Sequence, residues 1–474
     1  MKRFLFCLNI LLCCTCVSYA QLDLLNISDY ERPFIQRQTL ILNLGSNGSN
    51  NFGEGSFSTF SEITRTALSG EGRITYSNYR NSQKYQGTHR AFTRFAGSSD
   101  KTTYPSTSNP SINSVETNKA QNIYIDVSST NYFYTKKNYF LLGGFDGYYN
   151  NNHSKETQEF SGVPDLETES THKYTRTSLE VGIGKGRIDP IGDVYLAIYL
   201  IEQLQRNNRL AKDLSPEETL SFAQHIAQVK NRRVLDFRLK RIYEMEAIDS
   251  FFVENQLITE ADATYFTTLA DLVLFGYFPD RNKGSLISLS FIPEYNISNI
   301  NTPISLYEQK NYNLLGKINY RYYRPIKLKY LWTVDASIVG GKKNLESNYT
   351  LINFSEPNTV NTQGSITTLI SSIQTSLSYF PNTRTEIKGS IQAAHFIEDF
   401  SGSSYISPVV LNDYQTNFST NLQAFYWFSP RLNIQADYRY TVYRLNYDPF
   451  PTISGANTYR RNMTGSLSLN YSFF

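Results

Sequence analysis

Cysteine is almost absent from this chain of 474 residues, and all four cysteines lie within the first 20 positions. Those positions read as a secretory signal peptide: Lys2 and Arg3 form a charged start, an apolar run covers residues 4–17, and Ser18 and Ala20 frame a cleavage site before Gln21. Cleavage there leaves a mature chain without cysteine. Disulfide bonds and thiolate chemistry are thereby excluded, although an export compartment would permit them.

Long apolar runs and an excess of one charge sign are also lacking. The nearest run to a membrane helix, at 269–278, is interrupted by Asp271 and falls short of the roughly 20 residues that such a helix needs. Removing Lys2 and Arg3 lowers the basic count from 45 to 43, against 42 acidic residues, so a nucleic-acid partner is not expected. A chain of this kind can cross a membrane only as a closed barrel, which satisfies its own backbone hydrogen bonds in lipid.

Alternation of apolar and polar residues runs through the chain. At the C-terminus Met463, Leu467 and Leu469 share one face of an extended strand, and Thr464 and Ser468 share the other. The same period predicts strands near 55–64, 71–80, 85–97, 120–134, 138–150, 171–186, 283–297, 310–323, 326–338, 365–380, 385–398, 414–428, 432–442 and 459–474. An even number of strands and 14% aromatic residues suit an all-β transmembrane antiparallel barrel of about 14 strands.

Connection lengths divide the predicted strands into two ends. Short connections are expected at 134–137, 324–325, 381–383 and 429–431, and long polar loops at 98–119, 151–170, 299–309, 341–364, 399–413 and 446–458. Outer-membrane barrels have short periplasmic turns and long outer loops. Residues 21–54 precede the first predicted strand, and the sequence leaves open whether they lie in the periplasm or fold into the lumen.

One segment, 188–282, changes from a two-residue to a 3.6-residue period. Asp189 and Pro190 suit the start of a first helix, Ser215 and Glu218 suit a capping box for a second, and Thr259 suits the start of a last one. The insert follows barrel strands 1–6 at 55–187 and precedes strands 7–14 at 283–474. Its position on the short-turn side predicts a compact periplasmic helical subdomain.

Charged residues on the polar strand faces should point into the barrel, because an Arg or Lys facing lipid at mid-depth costs about 2–4 kcal/mol. These predicted lumen-lining residues are Arg90, Arg94, Asp126, Glu180, Lys317, Arg321, Lys327, Lys329, Asp335, Glu386, Lys388, Asp437 and Arg439. Two interpretations stay open: a lined aqueous path or substrate site, and a salt-bridged lumen that only fills the barrel. Because both signs are present, strong ion selectivity is not implied.

Catalytic and metal-binding patterns are weak. His395 is in phase with Ile387 and should face lipid, whereas His89 and His172 could reach the lumen or outer rim, without a Gly-x-Ser-x-Gly element. The mature chain has no His-x-x-x-His or Cys-x-x-Cys spacing. The glycines of 182–186 fit a close backbone approach better than a phosphate loop. No enzyme activity, cofactor or metal is expected.

The C-terminal strand resembles the assembly signal that outer-membrane β-barrel proteins of Gram-negative bacteria present to the barrel-assembly machinery. The residues that carry this resemblance are Leu467, Leu469, Tyr471, Phe473 and Phe474. The segments 231–233, 238–242 and 247–251 resemble an insert in poorly characterised barrels of the Bacteroidota. These resemblances imply a location in the outer membrane, with its lipid and the assembly machinery as partners.

Two functions are compatible with these features. The first is a porin-like or transport channel for small solutes, in which the lumen charges line the path. The second is a structural or assembly anchor whose periplasmic helical insert docks a partner protein.

Overall fold

The computed structural model of the chain describes residues 30, 33–53, 63–104, 114–160, 163–232, 237–275, 281–326, 328–352, 358–382, 384–403, 411–429, 432–447 and 456–471. The predicted signal peptide, Lys327, Phe473 and Phe474 lie outside these ranges. No helix among the described residues is both long and apolar enough to span a membrane.

The described residues contain fourteen strands that form one antiparallel sheet, in which each strand pairs with its neighbours in sequence. The strands are β1 Ile35–Gly53, β2 Ile63–Ser82, β3 Tyr85–Tyr104, β4 Ser114–Tyr134, β5 Tyr139–Phe160, β6 Val163–Pro190, β7 Asn282–Asn301, β8 Ser305–Ile326, β9 Tyr330–Leu351, β10 Asn358–Asn382, β11 Thr385–Ser403, β12 Leu411–Ser429, β13 Leu432–Tyr447 and β14 Ala456–Tyr471. The predicted fold class, a 14-stranded antiparallel sheet with inserted helices, is confirmed.

The position of the first strand was predicted wrongly. Residues 21–54 were assigned to a segment before the sheet, but β1 occupies Ile35–Gly53 and pairs along its whole length with β2. Most of the predicted first strand, 55–64, lies outside the described residues, and Ile63 and Thr64 belong to β2. The run 39–44 contains three consecutive apolar residues, which hides the alternation on which the prediction depended.

Several predicted loops are partly strand. Of the predicted loop 151–170, for example, all described residues belong to β5 and β6. Polar side chains pair across this extension, since Lys155 Nζ lies 2.8 Å from Glu167 Oε2 and Ser154 Oγ lies 2.7 Å from Ser170 Oγ. The backbone ladder continues where both faces are polar, so alternation of hydrophobicity no longer marks the strand.

The described part of the chain between β6 and β7 contains four helices: α1 Gly192–Arg206, α2 Pro216–Asn231, α3 Phe237–Glu254 and α4 Ala263–Phe275. The predicted capping box is confirmed, because Ser215 Oγ accepts from the Glu218 amide at 3.2 Å and Glu218 Oε2 accepts from the Ser215 amide at 2.8 Å. The predicted start of the first helix was wrong. Asp189 and Pro190 are the end of β6, and the helix begins at Gly192.

The helices have a core of their own, which we call the insert core. Helix α1 is buried along most of its length, and its buried residues include Val194, Ile198, Ile201 and Leu204. Phe222 from α2, Phe252 from α3 and Leu269 from α4 pack around it. The insert lies at the same end of the sheet as the short connections at 83–84 and 135–138, because the β6–β7 connection has the same parity as theirs.

Candidate functional site: the charged face of the sheet

Strand pairing assigns each side chain to one of two faces, because directly opposed residues of an antiparallel pair lie on the same side. Ser77 opposes Arg90, Arg321 opposes Asp335, and the same parity continues to Asp437. We call this side the charged face. It carries eleven predicted residues: Arg90, Arg94, Asp126, Glu180, Lys317, Arg321, Asp335, Glu386, Lys388, Asp437 and Arg439. Lys329 lies in the turn between β8 and β9.

The other side, which we call the apolar face, leaves large hydrophobic side chains uncovered. Val181 of β6 is 65% exposed, Leu289 of β7 is 56% exposed and Leu422 of β12 is 53% exposed. These strands lie inside the sheet, so their exposure is not an effect of its edges. Leu467 and Leu469 of the predicted assembly signal share this face with Met463, as predicted, and all three are exposed. For Tyr471 the structure shows only its backbone pairing, with Leu432.

The sheet curls toward its charged face. Arg321 Nη2 on β8 donates to Tyr132 Oη on β4 at 2.8 Å, and Gln86 Nε2 on β3 donates to the Ile188 carbonyl on β6 at 3.0 Å. In a flat sheet β4 and β8 are four strand spacings, or about 19 Å, apart, farther than an arginine and a tyrosine reach toward each other. The charged face is therefore concave. No pairing among the described residues joins β1 to β14.

Ion pairs and hydrogen bonds connect many of the charges on the concave side. Glu71 contacts Arg73 and lies 2.7 Å from Arg94 Nη2, and Glu180 Oε1 accepts from Ser290 Oγ at 2.6 Å and lies 3.4 Å from Lys317 Nζ. Asp437 accepts hydrogen bonds from two neighbouring glutamines. Charges of both signs therefore lie next to each other on the concave side.

A cavity of about 540 Å³ lies on the charged face near the short-turn end. Asp335, Glu386 and Lys388 line it, so three of the predicted residues come together there. Thr333, Ser376 and Gln423 add polar groups to the same wall. The arrangement offers hydrogen bonds and both charge signs to a small polar solute.

Arg281, at the junction between the insert and β7, also lines this cavity and was not singled out from the sequence. Its side chain is buried, with the guanidinium carbon 3.8 Å from the Phe380 ring centroid and 4.0 Å from that of Tyr195. Its Nη2 donates to Tyr199 Oη at 3.3 Å. These contacts join α1 to the wall of the sheet through cation–π interactions. No local pattern could have found them, since the partner rings are about eighty and a hundred positions away in sequence.

Further contacts tie the insert to several points of the short-turn end. Arg384, in the β10–β11 connection, forms an ion pair with Asp271 of α4, and Arg37 Nη2 of β1 donates to Asn231 Oδ1 of α2 at 3.0 Å. Tyr30, whose side chain packs in the insert core, accepts at its carbonyl from Lys283 Nζ of β7 at 3.0 Å. The insert therefore contacts both the first strand and the middle of the sheet.

Burial perturbs several ionisable groups of the insert, among them Lys230 and Glu202. It lowers the pKa of Lys230, whose Nζ lies 2.8 Å from Glu244 Oε2 and donates to the Val273 carbonyl at 2.9 Å. Burial raises the pKa of Glu202, although the positive charges of Arg206 and Lys329 act to lower it. Lys230 joins α2 to α3 and α4, and both Lys230 and Glu202 lie away from the residues that line the 540 Å³ cavity.

Four aromatic side chains form a row across the charged face, which we call the aromatic row: Phe92 of β3, Tyr124 of β4, Tyr148 of β5 and Tyr174 of β6. Successive ring centroids are 5.3, 5.0 and 5.4 Å apart, with steeply inclined planes. The guanidinium carbon of Arg176 lies 5.9 Å from the Tyr148 ring centroid. The sequence signal for the row was aromatic residues on the polar parity of four strands, which a search for charged residues overlooked.

The glycines of 182–186 confirm the predicted close backbone approach. A Cβ on Gly184 would lie 2.2 Å from the Phe140 ring and 2.4 Å from the Ile287 carbonyl oxygen. The segment belongs to β6, paired with β7, and does not form a loop around an anion.

The histidines are distributed over both faces. His395 lies on the apolar face, as predicted, with Nδ1 2.9 Å from Thr416 Oγ1. The placement predicted for His89 was wrong: it opposes Ser129 on the apolar face. His172 lies on the charged face, 3.3 Å from Ser298 Oγ. Among the described residues, no group of three or more His, Cys, Asp or Glu side chains is arranged to hold a metal ion.

No protein-family model matches the chain, and no curated relative does. Among solved structures, the chain is similar to the transport unit of the autotransporter AIDA-I from Escherichia coli, with 11% identity, a TM-score of 0.27, and coverage of 96% of this chain and 94% of that one. The translocator domain of the autotransporter NalP from Neisseria meningitidis gives 9% identity, a TM-score of 0.25, and coverage of 94% and 90%. The alcaligin outer membrane receptor FauA from Bordetella pertussis gives 9% identity, a TM-score of 0.23, and coverage of 93% and 76%. Similarities of this size define neither a family nor a function for the chain, and the resemblance to Bacteroidota barrels stays a prediction.

Proposed function

We propose that the chain is an outer-membrane β-barrel that forms a channel for small polar solutes. The observation that supports this most strongly is the division of one continuous sheet into an exposed apolar face and a concave charged face. A soluble protein rarely leaves so large an apolar surface in water, whereas a barrel in lipid needs one.

Closure of the sheet is part of the proposal. An open sheet has two unpaired edges, which are unfavourable in lipid because backbone groups stay without partners. Pairing β1 with β14 removes both edges. It places Leu40 and Leu42 on the same outer surface as Leu467 and Leu469, since all four lie on the apolar face.

The concave side then becomes a water-filled path with the 540 Å³ cavity near its periplasmic end. Glu386 and Lys388 stand beside each other on β11 and give that cavity one charge of each sign. The path should pass small hydrophilic solutes with little discrimination by charge. We propose no catalytic step and no cofactor.

Conductance in planar bilayers tests the channel. Purified protein should give stable open states, and Glu386→Gln and Lys388→Gln should shift the reversal potential in a salt gradient in opposite directions. Gln374→Asn is the matched control, since it alters a neighbouring cavity residue without changing charge. A protein that stays a dissolved monomer without detergent, or that inserts and carries no current, contradicts the proposal.

The anchor function is the second candidate, and the exposed apolar residues of the insert favour it. Ile242 and Val253 of α3 and Phe266 of α4 are exposed although the insert has a core of its own. Under this function the barrel is silent in bilayers, and a periplasmic protein co-purifies with the full chain and is lost when residues 190–280 are deleted.

A further inference from the structure

From the aromatic row and the groove beside it, we infer that the wall formed by β2–β6 binds neutral saccharides as they pass through the channel. The inference rests on the proposed channel function and names a solute class for it. It depends on ring geometry, on polar groups placed along the rings and on an adjoining groove.

The rings cross four adjacent strands and extend over about 14 Å along the wall, since neighbouring strands lie about 4.8 Å apart. Because Tyr124 and Tyr148 both face the concave side, the row gives a solute a continuous apolar strip within a polar surface. All four side chains are half-buried, so part of each ring stays accessible. Such a strip is longer than one hexose ring and suits an oligomer.

Polar side chains accompany each ring in the strand register. Phe92 opposes Asp126, Tyr124 opposes Arg94, and Tyr148 opposes Arg176. Asp146 holds the partly exposed Arg176 beside the Tyr148 ring, with Oδ1 2.7 Å from Nη2.

A groove of about 570 Å³ adjoins the row at Arg94. Its walls carry Glu71, Arg73 and Asn122, and Asn122 Nδ2 donates to Asn150 Oδ1 at 2.8 Å. Its floor is formed by small residues on the charged face: Gly45, Ser69, Ala96, Ser98 and Ala120. The small side chains make the depression, and the carboxylate, amide and guanidinium groups surround it with donors and acceptors.

A saccharide matches this combination better than other small solutes do. A pyranose presents C–H groups on its ring face, which pack on aromatic faces, and hydroxyls at its edge, which pair with planar polar side chains. A hydrated simple ion gains little from packing on an apolar strip, and a hydrocarbon chain leaves the polar groups without partners. The groove volume lies in the range of small-molecule sites.

Current block by maltohexaose, cellohexaose and chitohexaose in planar bilayers tests the inference. At least one of the three should interrupt the potassium chloride current at millimolar concentration. Tyr124→Ala and Tyr148→Ala should each weaken the apparent affinity by roughly threefold to tenfold. Tyr124→Phe keeps the ring and should change the affinity by less than about twofold, because its hydroxyl makes only a 3.4 Å contact with Asp126.

Tyr307→Ala is the matched control. Tyr307 lies on the charged face of β8, with its hydroxyl 2.8 Å from Gln309 Oε1, and is not part of the row. Its replacement should leave the block unchanged. Heat-modifiable migration of each variant on gels checks that the barrel still folds.

Two results overturn the inference and leave the channel intact: open channels that none of the three saccharides block, and block that neither tyrosine-to-alanine variant weakens. Calorimetric titration of the detergent-solubilised protein with the same saccharides gives a readout that does not need conductance. Absence of heat for all three overturns the inference, whereas absence of current with saccharide binding retained overturns only the channel.

Discussion

The sheet exposes the same types of apolar side chain that the insert buries. Val181 of the sheet is 65% exposed, whereas Val194 of α1 is completely buried, and the same contrast separates Leu289 from Leu269. Burial of apolar area stabilises a fold only when the alternative is water. The difference is the one expected under the proposed function, with lipid around the sheet and water around the helices.

The largest expected effect comes from opening a hole in the insert core. Phe252 is fully buried and its ring centroid lies 4.8 Å from that of Phe222. Phe252→Ala should lower the free energy of unfolding of the insert by about 3–5 kcal/mol. Urea denaturation followed by helical circular dichroism measures this, with the exposed Phe266→Ala as control. If Phe252→Ala also alters the gel migration of the folded sheet, the two regions do not have separate cores.

The second effect contrasts the two faces on a single strand. Ile373 of β10 is on the apolar face and exposed, and the adjacent Gln374 is on the charged face. Ile373→Arg should cost about 2–4 kcal/mol of folding free energy in lipid vesicles, because its charge faces hydrocarbon. Gln374→Arg should stay within about 0.5 kcal/mol. Equal costs for both substitutions would remove the reason for placing the apolar face in lipid.

The stability of the insert should depend on pH through one of its own side chains. Burial raises the pKa of Glu202 above its ordinary value of 4.5. Between pH 4.5 and the raised pKa, the folded insert therefore binds more protons than the unfolded chain. Its stability should therefore fall as pH rises through that window, by at most about 1.4 kcal/mol per pH unit. Glu202→Gln should flatten the curve of urea midpoint against pH and raise the midpoint at neutral pH. A curve unchanged by the substitution assigns the pH dependence to another group.

The smallest effect concerns the connection between the two regions. Arg384 and Asp271 are both partly exposed, so their ion pair should contribute about 0.2–1 kcal/mol to docking. Arg384→Gln should increase hydrogen exchange in α4, and Arg384→Lys should increase it less. Unchanged exchange in Arg384→Gln would show that other contacts hold the insert.

Much of the fold follows from local patterns. Two-residue alternation places Met463, Leu467 and Leu469 on one face, and the Ser215–Glu218 capping box gives the start of a helix. β1 was missed because apolar residues on consecutive positions hide the period. The ends of the strands were missed because serine and asparagine occupy both faces there.

The candidate site could be predicted only in part. Parity places Asp335 and Lys388 on one face, since each strand carries its own period. The burial of Arg281 depends on rings brought from distant elements, and the aromatic row depends on the register between four strands. The sequence of a single strand determines neither its register with the neighbouring strands nor the curl of the sheet.

Two glycines mark the point where the β6–β7 ribbon leaves the sheet. Gly186 and Gly284 have φ angles of +103° and +107°, and a Cβ on either would lie 2.1 Å from a carbonyl oxygen of the opposite strand. The two strands therefore approach each other here through backbone alone, at the base of the segment that carries helices α1 to α4. Replacing everything between these two residues with a short turn is a direct way to obtain the sheet without its insert, because beyond them β6 and β7 pair only with each other.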